Sequence, residues 1–229
     1  MQKVLIYLHG FLSSPNSVKC QATKAYVEEH FPEIEFVAPQ IPNYPEQAVY
    51  KLRDLVKQYR GKQIGYIGSS MGGFMATHLM EDYPGKAVLI NPAINPHILL
   101  QAHLGEHVHP HTKKKFVLTS EHMIELKHLF VERIRLPQNY WVLLQKNDET
   151  LDYRLAVDKY RDGQLTVEEG GDHSFQGYEA YLHSIFEFLY PGIKAEQAAN
   201  AGKVQLAFIQ PENKKDARLY TKLEFDLKE

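Results

Sequence analysis

Nine residues constrain this chain more than any others: Gly65-Tyr66-Ile67-Gly68-Ser69-Ser70-Met71-Gly72-Gly73. An apolar run over residues 62–67 leads in, and a helix-compatible run over 74–81 leads out. The spacing Gly68-x-Ser70-x-Gly72 therefore falls on a strand-to-helix turn. Such a turn pushes the serine hydroxyl clear of the backbone, and the glycines remove side chains that would clash within it. It also aims the first N–H groups of the following helix at the atom the serine would attack. A phosphate-cradling loop would end in Gly-Lys-Ser/Thr, whereas this one ends Met71-Gly72-Gly73; a G-x-G-x-x-G dinucleotide fingerprint is broken at Ser69-Ser70. Taking Ser69 as the central serine would put Ile67 and Met71 at the small-residue positions, so Ser70 is the candidate nucleophile.

The rest of the chain alternates in the same way. Residues 4–8 are continuously apolar, as expected for a parallel strand covered on both faces. Helix over 17–31, strand over 34–38, a proline-rich loop over 39–45 and helix over 46–59 follow, the last with Val49, Leu52, Leu55 and Val56 at helical spacing. After the serine turn come strands over 87–90, 141–144 and 165–167, with helices over 152–160 and 178–189. This predicts an α/β fold, a mostly parallel sheet with helices on both faces, spanning 1–192. Ligands in such sheets bind at the carboxyl ends of the strands, where Ser70 and His9-Gly10 both lie. Residues 95–137 break the alternation and are expected to form a small helical cap insertion. Its helices are predicted at 98–100 and 123–135, with a solvated, somewhat basic loop between them containing His103, His107, His109, His111 and three lysines. Closed metal sites need ligands fixed by a scaffold, and a loop composition without cysteine argues for no metal.

Composition narrows the function classes. The 26 basic residues are balanced by 28 acidic ones, for a net charge of −2, which is not the footprint of a nucleic-acid binder. The single cysteine, Cys20, rules out an internal disulfide. No apolar run approaches the ~20 residues of a membrane span. The first residues lack the apolar length and cleavage site of a signal peptide, so the expected location is the cytoplasm.

A serine hydroxyl needs a base, and the base needs a group that fixes its tautomer. The order Ser, then Asp or Glu, then His, each on a loop after a strand, is met by Ser70, Asp148 and His173. Glu149 and Asp152 are rival acids on the same loop. Asp172 would point away from its neighbour His173. The rival bases are the cap histidines and His9, which is expected to pack beneath the first loop. The backbone N–H groups of Met71 and Phe11 are the expected oxyanion donors, and no cofactor is required.

Six segments together, His9-Gly10-Phe11-Leu12-Ser13-Ser14-Pro15, Pro39-Gln40-Ile41-Pro42, Gly68 to Gly73, Asn91-Pro92-Ala93, Asn147 to Arg154 and Glu169 to Phe175, make the chain resemble the small bacterial YqiA-type esterases of the α/β-hydrolase superfamily. The resemblance covers 1 to about 190. It implies carboxylic-ester hydrolysis extending to acyl-CoA thioesters, a small-molecule acyl substrate, and a triad of Ser70, Asp148 and His173. Asn147 stands where the family pattern leads one to expect glycine.

Residues 193–229 exceed the usual family length. Val204, Leu206 and Phe208, then Leu219, Thr221, Leu223, Phe225 and Leu227, alternate with other residues around a polar turn, the pattern of a β-hairpin extension. Its apolar face would pack on its own domain or on a second copy, forming a homodimer. A non-catalytic binding or scaffolding protein that retained the pocket is the alternative from a different class.

Overall fold

A computed structural model describes residues 1–194. The C-terminal hairpin and the dimer contact expected of it lie outside the described residues. Elements occur in the order β1 (Lys3–Leu8), α1 (Val18–His30), β2 (Ile34–Val37), α2 (Pro45–Lys57), β3 (Gln63–Ser69), α3 (Met71–Asp82), β4 (Lys86–Ile90), α4 (Pro96–Leu99), β5 (Gly105–Val108), β6 (Lys115–Leu118), α5 (Ser120–His128), β7 (Tyr140–Gln145), α6 (Tyr153–Lys159), β8 (Gln164–Glu168) and α7 (Leu182–Leu189). Six strands form one sheet in the order β2-β1-β3-β4-β7-β8, and every pairing in it is parallel.

The alternation of side chains along the central strands builds two cores. Val4, Ile6 and Leu8 of β1 join Tyr66 of β3, Leu89 of β4 and Val142 of β7 beneath α2 and α3. Leu5 and Tyr7 face the other way, with Ile67, Val88, Ile90 and Leu143, against α1 and α7. Both faces being covered is why these strands read as unbroken apolar runs. Each fully buried aliphatic or aromatic side chain contributes about 1.5–3 kcal/mol relative to exposure. The α2 stripe is Val49, Leu52 and Val56, with Pro45 pre-set for the first helical turn. The final helix begins as a 3-10 turn over Tyr178–Tyr181 before α7.

Segment 95–137 differs from expectation. It contains helices, but its histidine-rich stretch is not a solvated loop. It forms the antiparallel pair β5–β6, in which His107 lies opposite Phe116. The period-2 pattern explains this: Phe116 and Leu118 are buried while Lys115 and Val117 face outward, so the lysines occupy the exposed face and turn. His107 stacks on Phe116, with ring centroids 5.3 Å apart, and His109 is buried. The helix expected over 123–135 is α5, which starts at Ser120 and stops at His128. Thr119 opens it, its N–H donating to Nδ1 of His122 at 3.0 Å. Beyond it, Leu129, Phe130 and Ile134 leave helical spacing to pack individually against the core beneath.

Candidate active site

The site begins with backbone strain. Ser70, between β3 and α3, has φ 52° and ψ −119°, a conformation costing about 1–3 kcal/mol for a residue with a side chain. Its surroundings over-determine it. The Ser70 N–H donates to the Ile90 carbonyl at 3.0 Å, and its own carbonyl accepts from Gly73 at 2.9 Å and Ala93 at 3.1 Å. The start of α3 presses against the end of β1, so a Cβ at Gly72 would lie 1.9 Å from the Leu8 carbonyl oxygen. Only glycine permits that approach.

Loops after three different strands converge at this hydroxyl. His173, beyond β8, places Nε2 3.1 Å from the Ser70 Oγ. Its Nδ1 faces Asp148, beyond β7, at 2.8 Å and 3.0 Å from the two carboxylate oxygens. The Asp148 side chain is 2% exposed. Its Oδ1 also accepts the N–H groups of Thr150 at 2.9 Å and Leu151 at 2.8 Å, so the carboxylate closes its own turn while facing the imidazole. An ionised carboxylate accepting at Nδ1 leaves the Nε2 lone pair free to take a proton.

The rivals are engaged elsewhere. Glu149 accepts the backbone N–H of His173 at 3.0 Å rather than touching the ring. Asp152 caps α6 and pairs with Arg154. Asp172 accepts from the Gln176 side chain at 2.9 Å. His9 is buried beneath the first loop, its Nδ1 donating to the Gly10 carbonyl at 2.8 Å and its Nε2 accepting the Ile41 N–H at 3.0 Å. Burial foremost holds its pKa down to about 4. Among the described residues, no group of three or more His, Cys, Asp or Glu side chains is arranged to hold a metal ion.

Phe11 and Met71, the two expected N–H donors, line one cavity of about 30 Å³ together with Gly10, Met75, Leu100 and Leu126. The body contributes Met71 and Met75 from α3, and segment 95–137 contributes Leu100, Leu118 and Leu126. The lining is mostly apolar and the room is that of one or two water molecules.

Two polar residues that sequence reasoning missed hold the His173 loop. Asn91, at φ 39°, donates through Nδ2 to the Asp172 carbonyl at 3.0 Å and the His173 carbonyl at 3.2 Å. Gln145 is 3% exposed, yet every hydrogen-bonding direction of its amide is used. Its Oε1 accepts from Asp172 N at 3.1 Å and Gln176 N at 2.8 Å. Its Nε2 donates to Glu168 Oε2 at 2.7 Å and the Gln176 carbonyl at 2.8 Å. Gly171, at φ +74°, passes so close that a Cβ there would lie 2.0 Å from that Oε1. The available signal was position: Asn91 and Gln145 end adjacent strands at the rim that carries Ser70.

A parallel six-stranded sheet with its strained serine turn on a central strand defines the α/β-hydrolase fold. Solved structures agree. The alpha/beta hydrolase domain-containing protein 10 from mouse superposes with a TM-score of 0.64 at 14% identity, covering 82% of this chain and 89% of its own. Est1E from Butyrivibrio proteoclasticus gives 0.63 at 15% identity, covering 82% and 88%. The Pyrococcus furiosus esterase PF2001 gives 0.57 at 16% identity, covering 82% and 81%. At these identities the likeness is one of fold. Residues 4–190 match the model of the uncharacterised protein family UPF0227, and the chain belongs to that family; it is the YqiA-type family that the sequence motifs resemble.

Proposed function

We propose that this chain is a serine hydrolase acting on carboxylic esters, with Ser70 as nucleophile, His173 as general base and then acid, and Asp148 as the group that orients the imidazole. The observation that carries the reading is the continuous relay from Ser70 Oγ through His173 to Asp148, at 3.1 Å and 2.8 Å, ending on a strained strand-to-helix turn. A buried carboxylate, an imidazole and a hydroxyl in that order do what a lone serine cannot.

As Ser70 Oγ bonds to the acyl carbon, its proton passes to His173 Nε2 and the carbonyl π pair moves onto oxygen. That oxyanion is received by the N–H groups of Phe11 and Met71, which flank one cavity. Collapse of the intermediate breaks the bond to the leaving oxygen, which takes the proton back from His173. Water, deprotonated by the same nitrogen, then attacks the acyl-enzyme; the acid departs and Ser70 is restored. Est1E has been solved with ferulic acid bound, an aromatic acid, and this supports including aryl esters among the compounds tried. Acyl-CoA thioesters undergo the same acyl chemistry and form the second substrate class.

The experiment is covalent labelling. An alkyl fluorophosphonate should modify wild-type protein on Ser70 and leave Ser70→Ala unlabelled. Aryl esters of graded acyl length, run beside acyl-CoA thioesters, then rank the two classes. Wild-type protein that neither takes the label nor hydrolyses any member of the panel would refute the hydrolase reading.

A further inference from the structure

We propose that Glu149 is a positioning residue for the base: its carboxylate holds the main-chain N–H of His173 while the adjacent Asp148 holds the ring, so that one turn grips the same histidine at two points. The inference rests on the hydrolase reading above, and adds to it a residue that acts through His173.

The His173 segment has no strand ladder to hold it. It leaves β8 and passes through left-handed backbone at Gly170 (φ 76°), Gly171 (φ 74°) and Phe175 (φ 61°), the last a conformation that side chains disfavour. Its main-chain polar groups must therefore find partners one by one. The Asp172 and His173 carbonyls accept from Asn91, and the Asp172 N–H donates to Gln145. The Ser174 carbonyl accepts from Nζ of Lys19, on α1, at 2.6 Å. The N–H of His173 itself donates to Glu149 Oε2 at 3.0 Å. An ionised acceptor makes this one of the stronger kinds of hydrogen bond.

The backbone explains how Glu149 arrives there. The β7–β8 pairing continues past the strand ends, with the Lys146 N–H donating to the Glu168 carbonyl and the Asn147 N–H to the Gly170 carbonyl, each at 3.0 Å. The chain then turns. The Asp148 N–H donates to the Gln145 carbonyl at 3.2 Å, and Asp148 Oδ1 accepts from Thr150 and Leu151. On extended backbone, neighbouring side chains point to opposite faces. In this turn both carboxylates reach one residue, Asp148 at Nδ1 of the ring and Glu149 at the main chain. The Asp148 side chain is buried and Glu149 is exposed, so Glu149 can be replaced without opening a cavity.

Two substitutions separate the hydrogen bond from the charge. Glu149→Ala removes both, whereas Glu149→Gln keeps an oxygen that can accept the His173 N–H. Hydrogen exchange by mass spectrometry on the full chain should be faster over residues 171–176 in Glu149→Ala and unchanged over 105–118. On an aryl ester, kcat of Glu149→Ala should fall about tenfold with KM within about twofold. That is less than the roughly 10²-fold that a misplacement near 1 Å can cost, since Asn91 and Gln145 still hold the loop. Glu149→Gln should restore slow exchange and bring kcat within about threefold of wild type. Unchanged exchange over 171–176 in Glu149→Ala overturns the inference whatever the activity, and so does an unchanged kcat beside faster exchange. A Glu149→Gln variant as slow as Glu149→Ala also overturns it, because the charge and not the tie would then matter. If Ser70 of the wild type takes no phosphonate, the hydrolase reading fails by itself, and the exchange data still decide whether Glu149 holds the loop.

Discussion

The side-chain carbonyl of Asn91 accepts the backbone N–H of Gln145 at 3.1 Å. This bond joins the ends of β4 and β7, and from that junction both side chains reach to the loop that carries His173. The His173 imidazole is thus held by neutral amides buried beneath its loop as well as by the carboxylate it faces. Gln145→Ala would strand the N–H groups of Asp172 and Gln176, at about 1–3 kcal/mol for each buried donor left unpaired. It should lower kcat by roughly 10–100-fold through displacement of His173, since shifts near 1 Å can cost about 10²-fold. Gln145→Glu keeps the shape but sets a second carboxylate against Glu168, and should be no better. Steady-state kinetics with a parallel denaturation curve checks this. Wild-type kcat in Gln145→Ala would show that the loop is held by other means.

Asp148→Asn tests the orienting role. The new Oδ1 can still accept from Thr150 and Leu151, so the turn should survive. Its NH₂ would then face Nδ1 of His173 and favour the tautomer with the proton on the wrong nitrogen. A loss of about 10⁴-fold in kcat is expected, with the melting temperature little changed. A loss under about tenfold would point to Glu149 as a substitute acid.

Gly72→Ala addresses the turn itself. A Cβ 1.9 Å from the Leu8 carbonyl oxygen cannot be relieved by rotating a side chain, because backbone faces backbone. We expect destabilisation on the order of 3 kcal/mol or more, read as a lower denaturation midpoint and poor soluble yield. A midpoint equal to wild type would mean that α3 can move away from β1.

His9 gives the fold a pH dependence whose sign is fixed. Burial first, then His109, His111 and Lys51, depress its pKa from 6.5 to about 4, against the opposing pull of its bond to the Gly10 carbonyl. Between those values the unfolded chain binds a proton that the folded chain refuses. Stability is therefore fully present above pH ~6.5 and declines as the pH falls toward 4, by on the order of 3 kcal/mol from this residue. Burial also lowers the pKa of His78 and His109, which add in the same direction. In His9→Gln the amide oxygen can still accept from Ile41, so its melting temperature should fall less steeply than that of wild type over pH 7 to 4. Parallel curves would remove His9 from the account.

The sheet was legible because burial on both faces writes uninterrupted apolar runs, and because the serine turn carries its own glycines. Ser70, Asp148 and His173 could be picked out by chain order and by their places after strands, and the structure brings all three within hydrogen-bond distance. The hairpin of segment 95–137 was not legible. His107 and His109 turn inward where polar residues ordinarily mark solvent, so the period of two was masked by side chains that are polar and buried at once. Asn91 and Gln145 were hidden for a related reason. Each ends an apolar strand like any turn-former, and only the fold reveals that their amides meet a loop up to 82 residues further along. Helix α5 was read too long because Leu129, Phe130 and Ile134 stay apolar after the helix has stopped, each filling its own gap in the core.

Among the described residues, strand β8 stands at the margin of the sheet, pairs with β7 alone, and comes after every other strand. During synthesis the strained serine turn leaves the ribosome about a hundred residues before the imidazole that would activate it. On the proposed mechanism, a polypeptide cut short before residue 173 would carry the Ser70 hydroxyl without its proton acceptor, so a prematurely released fragment would be chemically silent. On that mechanism, reactivity would arrive when β8 docks and brings His173 to the serine turn.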